Sequence, residues 1–289
     1  MKVRLLALLS AFAFAVLGVV PASATSEGHS YLALGDSVAF GFDPHADKSN
    51  AANFTGYPEI VAQGLNIEDV NASCSGEATG GFLSSTGTDN VCRPYRAFFP
   101  LHVAYKSTQM DFAISYLRSH PETRLVTLNL GANDVFRFQK DCARGSTVGT
   151  CPLGLGGVAA VMQANLNTIF ERIRGTGYTG LIVALTYYAL DYRDESGARF
   201  LNAPMIAAAK AHGVLVASGL DAWRATANAA GGSSCAAGLL IPTPADPTSP
   251  CDVHPTPLGR DLLAGAVLAQ IAASCPAASL EGCLNRNGG

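Results

Sequence analysis

The 289-residue chain has little charge, and cations do not predominate. Only 14% of its residues are Asp, Glu, Lys or Arg, and they comprise 19 basic and 22 acidic residues. No basic stripe is present, which argues against nucleic acid and anionic membrane surfaces as partners. With 48% hydrophobic residues and no repeat, the composition also argues against disorder, coiled coil, collagen and repeat arrays.

Long apolar runs are absent after the N-terminus. Residues 5–20 are apolar, follow Lys2 and Arg4, and precede the A-x-A pattern that ends at Ala24. No later stretch reaches the ~18 apolar residues of a transmembrane helix. We therefore predict a secretory signal peptide over residues 1–24, whose removal changes the formal net charge from −3 to −5. The remainder, residues 25–289, is long enough for one large α/β domain, and we expect it to be a monomer.

The sequence lacks any C-x-x-C pair, and the cysteines have no His at zinc-finger spacing except His254, which lies three residues after Cys251. An even count of eight cysteines after a signal peptide predicts disulfides in an oxidising compartment, extracellular or periplasmic, rather than a metal site. About 105 connectivities are possible. Clustering along the chain favours the local pairs Cys74–Cys92, Cys142–Cys151, Cys235–Cys251 and Cys275–Cys283.

Short β-rich apolar runs alternate with helical patterns. Helical spacing is found over residues 56–64, 107–120, 157–174, 198–212 and 256–273, and strands are predicted over residues 31–34, 67–72, 125–130, 181–186 and 214–217. Alternation of this kind predicts a three-layer, doubly wound parallel sheet with strand order 2-1-3-4-5. Three stretches rich in Gly, Ser, Thr and Pro are expected to form loops around a site, namely 82–106, 134–155 and 231–253.

Polar residues follow the predicted strands where ligands bind in such sheets. Ser37 follows the first strand, Gly76 the second and Asn133 the third, and His254 precedes the last helix. Each residue alone is an ordinary turn or cap residue, and neither G-x-G-x-x-G nor G-x-S-x-G follows the first strand. Together they supply what acyl transfer needs: a Ser37 nucleophile, a His254 base, and oxyanion donors from the N–H groups of Ser37 and Gly76 and the Asn133 amide.

These blocks resemble the SGNH subgroup of GDSL esterases and lipases, whose name gives their Ser, Gly, Asn and His. The resemblance implies a flavodoxin-like α/β/α fold and ester hydrolysis through an acyl-enzyme without metal or cofactor. It also implies Ser37 as nucleophile, His254 as base, and Ser37, Gly76 and Asn133 as the oxyanion hole. The matching segments, in the family's order, are Gly35-Asp36-Ser37, Gly76, Gly131-Ala132-Asn133-Asp134 and His254-Pro255.

The chain departs from the family pattern at the catalytic acid. The family places an Asp three residues before the His, but Cys251 is at that place and Asp252 lies two before His254. In an extended segment residues two apart share a face, so Asp252 is predicted to orient the imidazole. The alternative is a backbone carbonyl such as that of Cys251. Val38 replaces the usual Leu, and Asp36 is expected to hold the turn through local backbone N–H groups.

Apolar and aromatic residues of the predicted loops favour a hydrophobic small-molecule or lipid ester as substrate. The competing interpretation is that several of them only pack the loops onto the sheet. We also keep two alternatives, a carbohydrate O-acetyl esterase and a non-catalytic secreted binding protein with the same fold. The residues concerned are Phe82, Leu83, Tyr95, Phe98, Phe99, Leu101, Tyr187, Tyr188 and Tyr192.

Overall fold

A computed structural model of the protein describes residues 30–243 and 250–275. The predicted signal peptide, residues 1–24, lies outside the described residues. Five parallel strands form the main sheet in the order β2-β1-β3-β4-β5, which confirms the predicted order and the α/β class. The strands are β1 (Ser30–Gly35), β2 (Glu68–Asn71), β3 (Thr123–Asn129), β4 (Leu181–Leu185) and β5 (Leu215–Ala217).

Helices cover both faces of this sheet. The α-helices are α1 (Ser37–Phe40), α2 (Tyr57–Leu65), α3 (Thr79–Leu83), α4 (Cys92–Phe98), α5 (Gln109–Ser119), α6 (Ala132–Arg144), α7 (Gly154–Arg174), α8 (Ser196–Ala211), α9 (Gly219–Ala229) and α10 (Pro257–Ser274).

Two hydrophobic cores separate the three layers. Side chains alternate along a strand, so Tyr31 and Ala33 of β1 point to one face and Leu32 and Leu34 to the other. The first core contains residues of α2, α9 and α10, and the second contains residues of α5, α7 and α8. Both faces of β1 are fully buried, which explains its continuous apolar sequence.

A second, antiparallel pair of strands lies after the main sheet. It consists of β6 (Leu240–Pro242) and β7 (Cys251–Pro255). The next residue, Thr256, caps α10 by accepting a hydrogen bond from the Gly259 N–H at 3.2 Å, and Pro257 lies in the first turn as predicted. The strand β7 thus holds His254 directly before a well-capped helix.

Two of the stretches predicted as loops contain helices. The helix α6 occupies much of 134–155 and begins within the Gly131-Ala132-Asn133-Asp134 motif, while α4 lies within 82–106. In the stretch 134–155 the glycines all lie in the second half, after α6 ends. The average composition of the whole stretch therefore predicted a loop where its first half is a helix. The prediction also missed α9, which Ser218 caps through the Asp221 N–H.

Three of the predicted disulfides are confirmed. They join Cys74 to Cys92, Cys142 to Cys151, and Cys235 to Cys251. The fourth predicted pair, Cys275–Cys283, lies outside the described residues because Cys283 does. The three bridges are consistent with an oxidising compartment.

By length and composition alone, one helical segment among the described residues, Cys151–Arg174, could cross a membrane. This segment contains α7. Its buried side chains pack in the second core against the sheet, as the core helix of a globular domain does; they are Val158, Met162, Leu166, Ile169, Phe170 and Ile173.

Candidate active site

Ser37 begins α1 immediately after β1, on a turn held by Asp36. The Asp36 carboxylate caps the helix by accepting from the Val38 N–H at 3.0 Å, and the Asp36 N–H donates to the Asn129 carbonyl at 3.1 Å. Gly35 has φ +144°, and a Cβ there would lie 2.3 Å from that carbonyl oxygen. Only glycine therefore allows the close approach of β1 and β3 that places Ser37 at the sheet edge.

Gln109, at the start of α5, clamps the same turn. Its Oε1 accepts from the Gly35 N–H at 2.6 Å, and its Nε2 donates to the Gly35 carbonyl at 3.0 Å. The Gly35 carbonyl also accepts from the Cys74 N–H at 3.1 Å, so Gln109 satisfies the buried Gly35 N–H and adds a second bond to the carbonyl. Sequence reasoning missed Gln109, because a single Gln in a helical pattern 74 positions away carries no signal.

Two cavities meet at Ser37. The first has a volume of about 320 Å³ and lies between α6, α8 and the segment after β4. The second has a volume of about 560 Å³ and extends toward α4 and the exposed side of α6. The residues that line both are Ser37, Asn133, Phe136, Val253 and His254. The structure thus brings together a hydroxyl, an amide and an imidazole from three distant parts of the chain.

The His254 imidazole is held from two sides. Its Nδ1 is hydrogen-bonded to the Asp252 carboxylate, whose Oδ1 also accepts from the His254 backbone N–H at 2.9 Å. The Phe42 ring packs against the imidazole with ring centroids 4.9 Å apart. Nδ1 thus contacts Asp252 rather than the Cys251 carbonyl, which favours the tautomer with its proton on Nδ1 and an unprotonated Nε2.

No hydrogen bond joins the Ser37 hydroxyl to His254 within the described part of the chain. Hydrogen bonds of this kind often form fully only when substrate is bound. The geometry that bears on the site is therefore that Ser37 and His254 both line the same two cavities. The two side chains face one cleft.

Gly76 lies beside this cleft and lines the second cavity. Its φ is +84°, and a Cβ there would lie 2.0 Å from Val91 Cγ2. Its carbonyl accepts from the Val91 N–H at 3.1 Å, which ties the segment after β2 to the start of α4. Any side chain at position 76 would therefore be strained at this φ and would clash with Val91.

Asn133 lies in the first turn of α6 with only 4% of its surface exposed. Its Nδ2 donates to Asp36 Oδ2 at 3.2 Å, and its Oδ1 accepts from Asn90 Nδ2 at 2.8 Å. Tyr187 donates to the same Asp36 oxygen at 2.5 Å. Asp36 therefore does more than hold its own turn, since it joins α1, α6 and the segment after β4.

Burial and hydrogen bonds shift the pKa values of the two Asp side chains in opposite directions. Burial raises the pKa of Asp36 to about 6, although bonds from Tyr187, Val38 and Asn133 oppose this change. Burial also raises the pKa of Asp252, but its hydrogen bond and charge interaction with His254 outweigh that effect, so its pKa lies below the usual value. Asp252 is consequently a carboxylate at neutral pH.

Residues 33–262 match the model of the GDSL-like lipase/acylhydrolase family. The chain belongs to this family. No curated protein sequence matches it.

Solved structures of similar fold cover most of this GDSL-family chain. A phospholipase A1 from Streptomyces albidoflavus NA297 is 18% identical, with a TM-score of 0.55 and coverage of 83% of this chain and 98% of that one. A catalytic mutant of an acetylxylan esterase from Geobacillus stearothermophilus is 17% identical, with a TM-score of 0.52 and coverage of 84% and 94%. An α/β hydrolase from the metagenome of Lake Arreo is 17% identical, with a TM-score of 0.51 and coverage of 89% and 96%. At these identities the likeness concerns the fold alone.

The predicted aromatic wall of this hydrolase is only partly present. Tyr187 and Tyr188 line the first cavity and Tyr95 lines the second. Phe82 is instead fully buried in the second core, and Phe98 is 81% exposed. The apolar lining of the first cavity comes mainly from residues that the prediction did not consider: Val38, Phe136, Ala198 and Leu201.

One grouping of metal-type ligands is found among the described residues, formed by Cys74, Glu77 and Cys92. The two sulfurs of this grouping are joined in a disulfide, so they cannot act as thiolate ligands. The grouping is therefore not a candidate metal centre.

Proposed function

We propose that the protein is a secreted carboxylic ester hydrolase of the lipase or esterase type, working through an acyl-enzyme. The observation that carries the proposal is that Ser37, Asn133 and His254 line the same two cavities while Asp252 holds the far side of the imidazole. Secretion is supported by the three disulfides and by the signal-peptide pattern in the sequence.

In the proposed mechanism, the Ser37 hydroxyl oxygen attacks the ester carbonyl and His254 Nε2 takes its proton. The negative oxygen that develops is bound by the N–H groups of Ser37 and Gly76 and by the Asn133 amide. The bond from carbon to the alcohol oxygen then breaks, and His254 returns the proton to the leaving alcohol. Water repeats the sequence on the acyl-enzyme and releases the acid.

The two cavities suggest how the ester lies in the site. The first is lined by Val38, Phe136 and Leu201, and its volume of about 320 Å³ suits a hydrophobic acyl chain. The second contains Asn90, Gln139 and Lys140 on its open side, which suits the more polar alcohol. A lipid or other hydrophobic ester fits this division better than an acetylated polysaccharide.

The oxidised, purified protein tests the proposal. We expect a fluorophosphonate probe to label it, the Ser37→Ala variant to lose labelling, and p-nitrophenyl esters with chains longer than acetate to be hydrolysed. Activity confined to acetyl groups would instead support the carbohydrate O-acetyl esterase. Failure to label or hydrolyse any ester would support the non-catalytic binding protein.

A further inference from the structure

A chain of hydrogen bonds approaches Asn133 from the side of α6 that faces the second cavity. Lys140 Nζ donates to Asn90 Oδ1 at 2.7 Å, and Asn90 Nδ2 donates to Asn133 Oδ1 at 2.8 Å. On the other side, Asn133 Nδ2 donates to Asp36 Oδ2 at 3.2 Å. Two side-chain amides thus lie in series between a cation and a buried carboxylate.

The charged ends determine which way both amides face. An ammonium group can only donate, so the oxygen of Asn90 must face Lys140 and its NH₂ must face Asn133. An ionised carboxylate can only accept, so the NH₂ of Asn133 must face Asp36. Reversing either amide alone would mismatch two of the three contacts, one with two donors and one with two acceptors against each other.

This polarity matters because an amide presents opposite groups at its two ends. The Oδ1 of Asn133 is bonded to Asn90 and one of its N–H groups is bonded to Asp36. The second N–H has no partner among the described residues, and it belongs to a side chain that lines both cavities. A reversed Asn133 would turn a carbonyl oxygen toward a developing oxyanion and repel it.

We infer that Asn90 is a positioning residue, which holds the Asn133 amide with its free N–H directed at the oxyanion. This inference rests on the proposed function and adds to it a residue outside the four family motifs. Asn90 is suited to the task because it is half-buried two residues before α4 and lines the second cavity together with Gly76.

The sharpest variant is Asn90→Asp, which keeps the shape but places an acceptor against Asn133 Oδ1. We expect kcat for a p-nitrophenyl ester to fall about 10- to 100-fold, while KM stays within about twofold of its wild-type value. This decrease is no larger than the decrease in kcat that removing one oxyanion donor causes. Asn228→Asp makes the same chemical change at an exposed position of α9 that lines neither cavity, and is the matched control, expected to keep kcat.

A double-mutant cycle separates positioning from general damage. In an Asn133→Ala background, Asn90→Asp is expected to cost no more kcat than Asn228→Asp does, because the amide that Asn90 orients is gone. Equal losses in both backgrounds, or a loss confined to KM or to the melting temperature, would overturn the inference.

A second readout does not depend on turnover. The side-chain NH₂ resonances of Asn133, assigned by their disappearance in Asn133→Ala, are expected to shift in Asn90→Asp and to stay unchanged in Asn228→Asp. Resonances unmoved by Asn90→Asp contradict the inference even if esters are hydrolysed. A shift in a protein that hydrolyses no ester supports the positioning and contradicts only the proposed function.

Discussion

Asp36, next to the proposed nucleophile Ser37, organises the site through its hydrogen bonds. Its carboxylate accepts from the Val38 N–H, from Asn133 and from Tyr187, and only 1% of its surface is exposed. Neighbours thus use three of its roughly four acceptor sites, and among the described residues no hydrogen bond joins it to the Ser37 hydroxyl. In the proposed mechanism His254 carries out the proton transfer, with its other ring nitrogen, Nδ1, bonded to Asp252.

Asp252→Asn tests the orienting role at the scale of one residue. The amide cannot stabilise the imidazolium that forms in each half-reaction, so we expect kcat to fall by about 10²- to 10⁴-fold with little change in KM. Steady-state kinetics with one p-nitrophenyl ester measure the effect. Asp261→Asn, exposed on α10, is the control and is expected to keep full activity. A full-rate Asp252→Asn enzyme would assign the orientation of the imidazole to the backbone.

At the scale of elements, the site is assembled by helix ends and a strand rather than by long loops. The first turn of α6 supplies Asn133, the start of α1 supplies Ser37, and β7 supplies His254. The first cavity is then closed on its far side by α8, through Gly197, Ala198 and Leu201. Chain-length selectivity is therefore expected to depend on α8.

Ala198→Phe is expected to fill part of the cavity of about 320 Å³ and shorten the acyl chain that fits. We predict a loss in kcat/KM of about 10-fold or more for octanoyl and longer p-nitrophenyl esters, and less than about threefold for the acetyl ester, since each excluded methylene loses its contacts. Ala203→Phe places the same ring on another face of α8, where Ala203 lines a different cavity, and should leave the profile unchanged. A uniform loss at every chain length would contradict the assignment of this cavity to the acyl group.

At the scale of the whole molecule, several buried carboxyl groups make stability depend on pH. Burial is the main cause that raises the pKa of Asp134 to about 6 and that of Glu77 to about 8. Asp89 adds to the shift of Glu77, while Arg96, Gln109 and Arg93 oppose it. These groups hold protons in the folded protein at pH values where the unfolded chain has released them. Stability is therefore predicted to fall as pH rises from about 4 to 8.

Glu77→Gln removes the largest of these contributions. Because the folded pKa is raised, the cost of Glu77 is absent below the unfolded pKa near 4 and grows as pH rises toward 8. We expect the variant to match wild type near pH 4 and to exceed its free energy of unfolding at pH 8 by on the order of a few kcal/mol. Urea unfolding of the oxidised protein over this range measures the difference, with Glu68→Gln, at the exposed first residue of β2, as control. Parallel pH profiles for Glu77→Gln and wild type would refute the prediction.

Much of the architecture was predictable from local pattern. Buried strands such as β1 and β3 are recognisable as short apolar runs, and helices such as α7 as 3.6-residue periodicity, so strand order followed from general rules of chain connection. The three confirmed disulfides were predictable because each joins cysteines close in the chain. Helix α6 was not, because glycines just beyond its end dominated the composition of that stretch.

The sequence by itself determined which chemical groups reach the carboxyl edge of the sheet, since motif order and strand order together place Ser37, Gly76 and Asn133 there. Only the tertiary structure decided how those groups are held. The bonds from Gln109 to Gly35, from Tyr187 to Asp36 and from Asn90 to Asn133 join positions 43 to 151 residues apart. Such contacts depend on side-chain direction across packed elements, and no periodicity or motif along the chain records that direction.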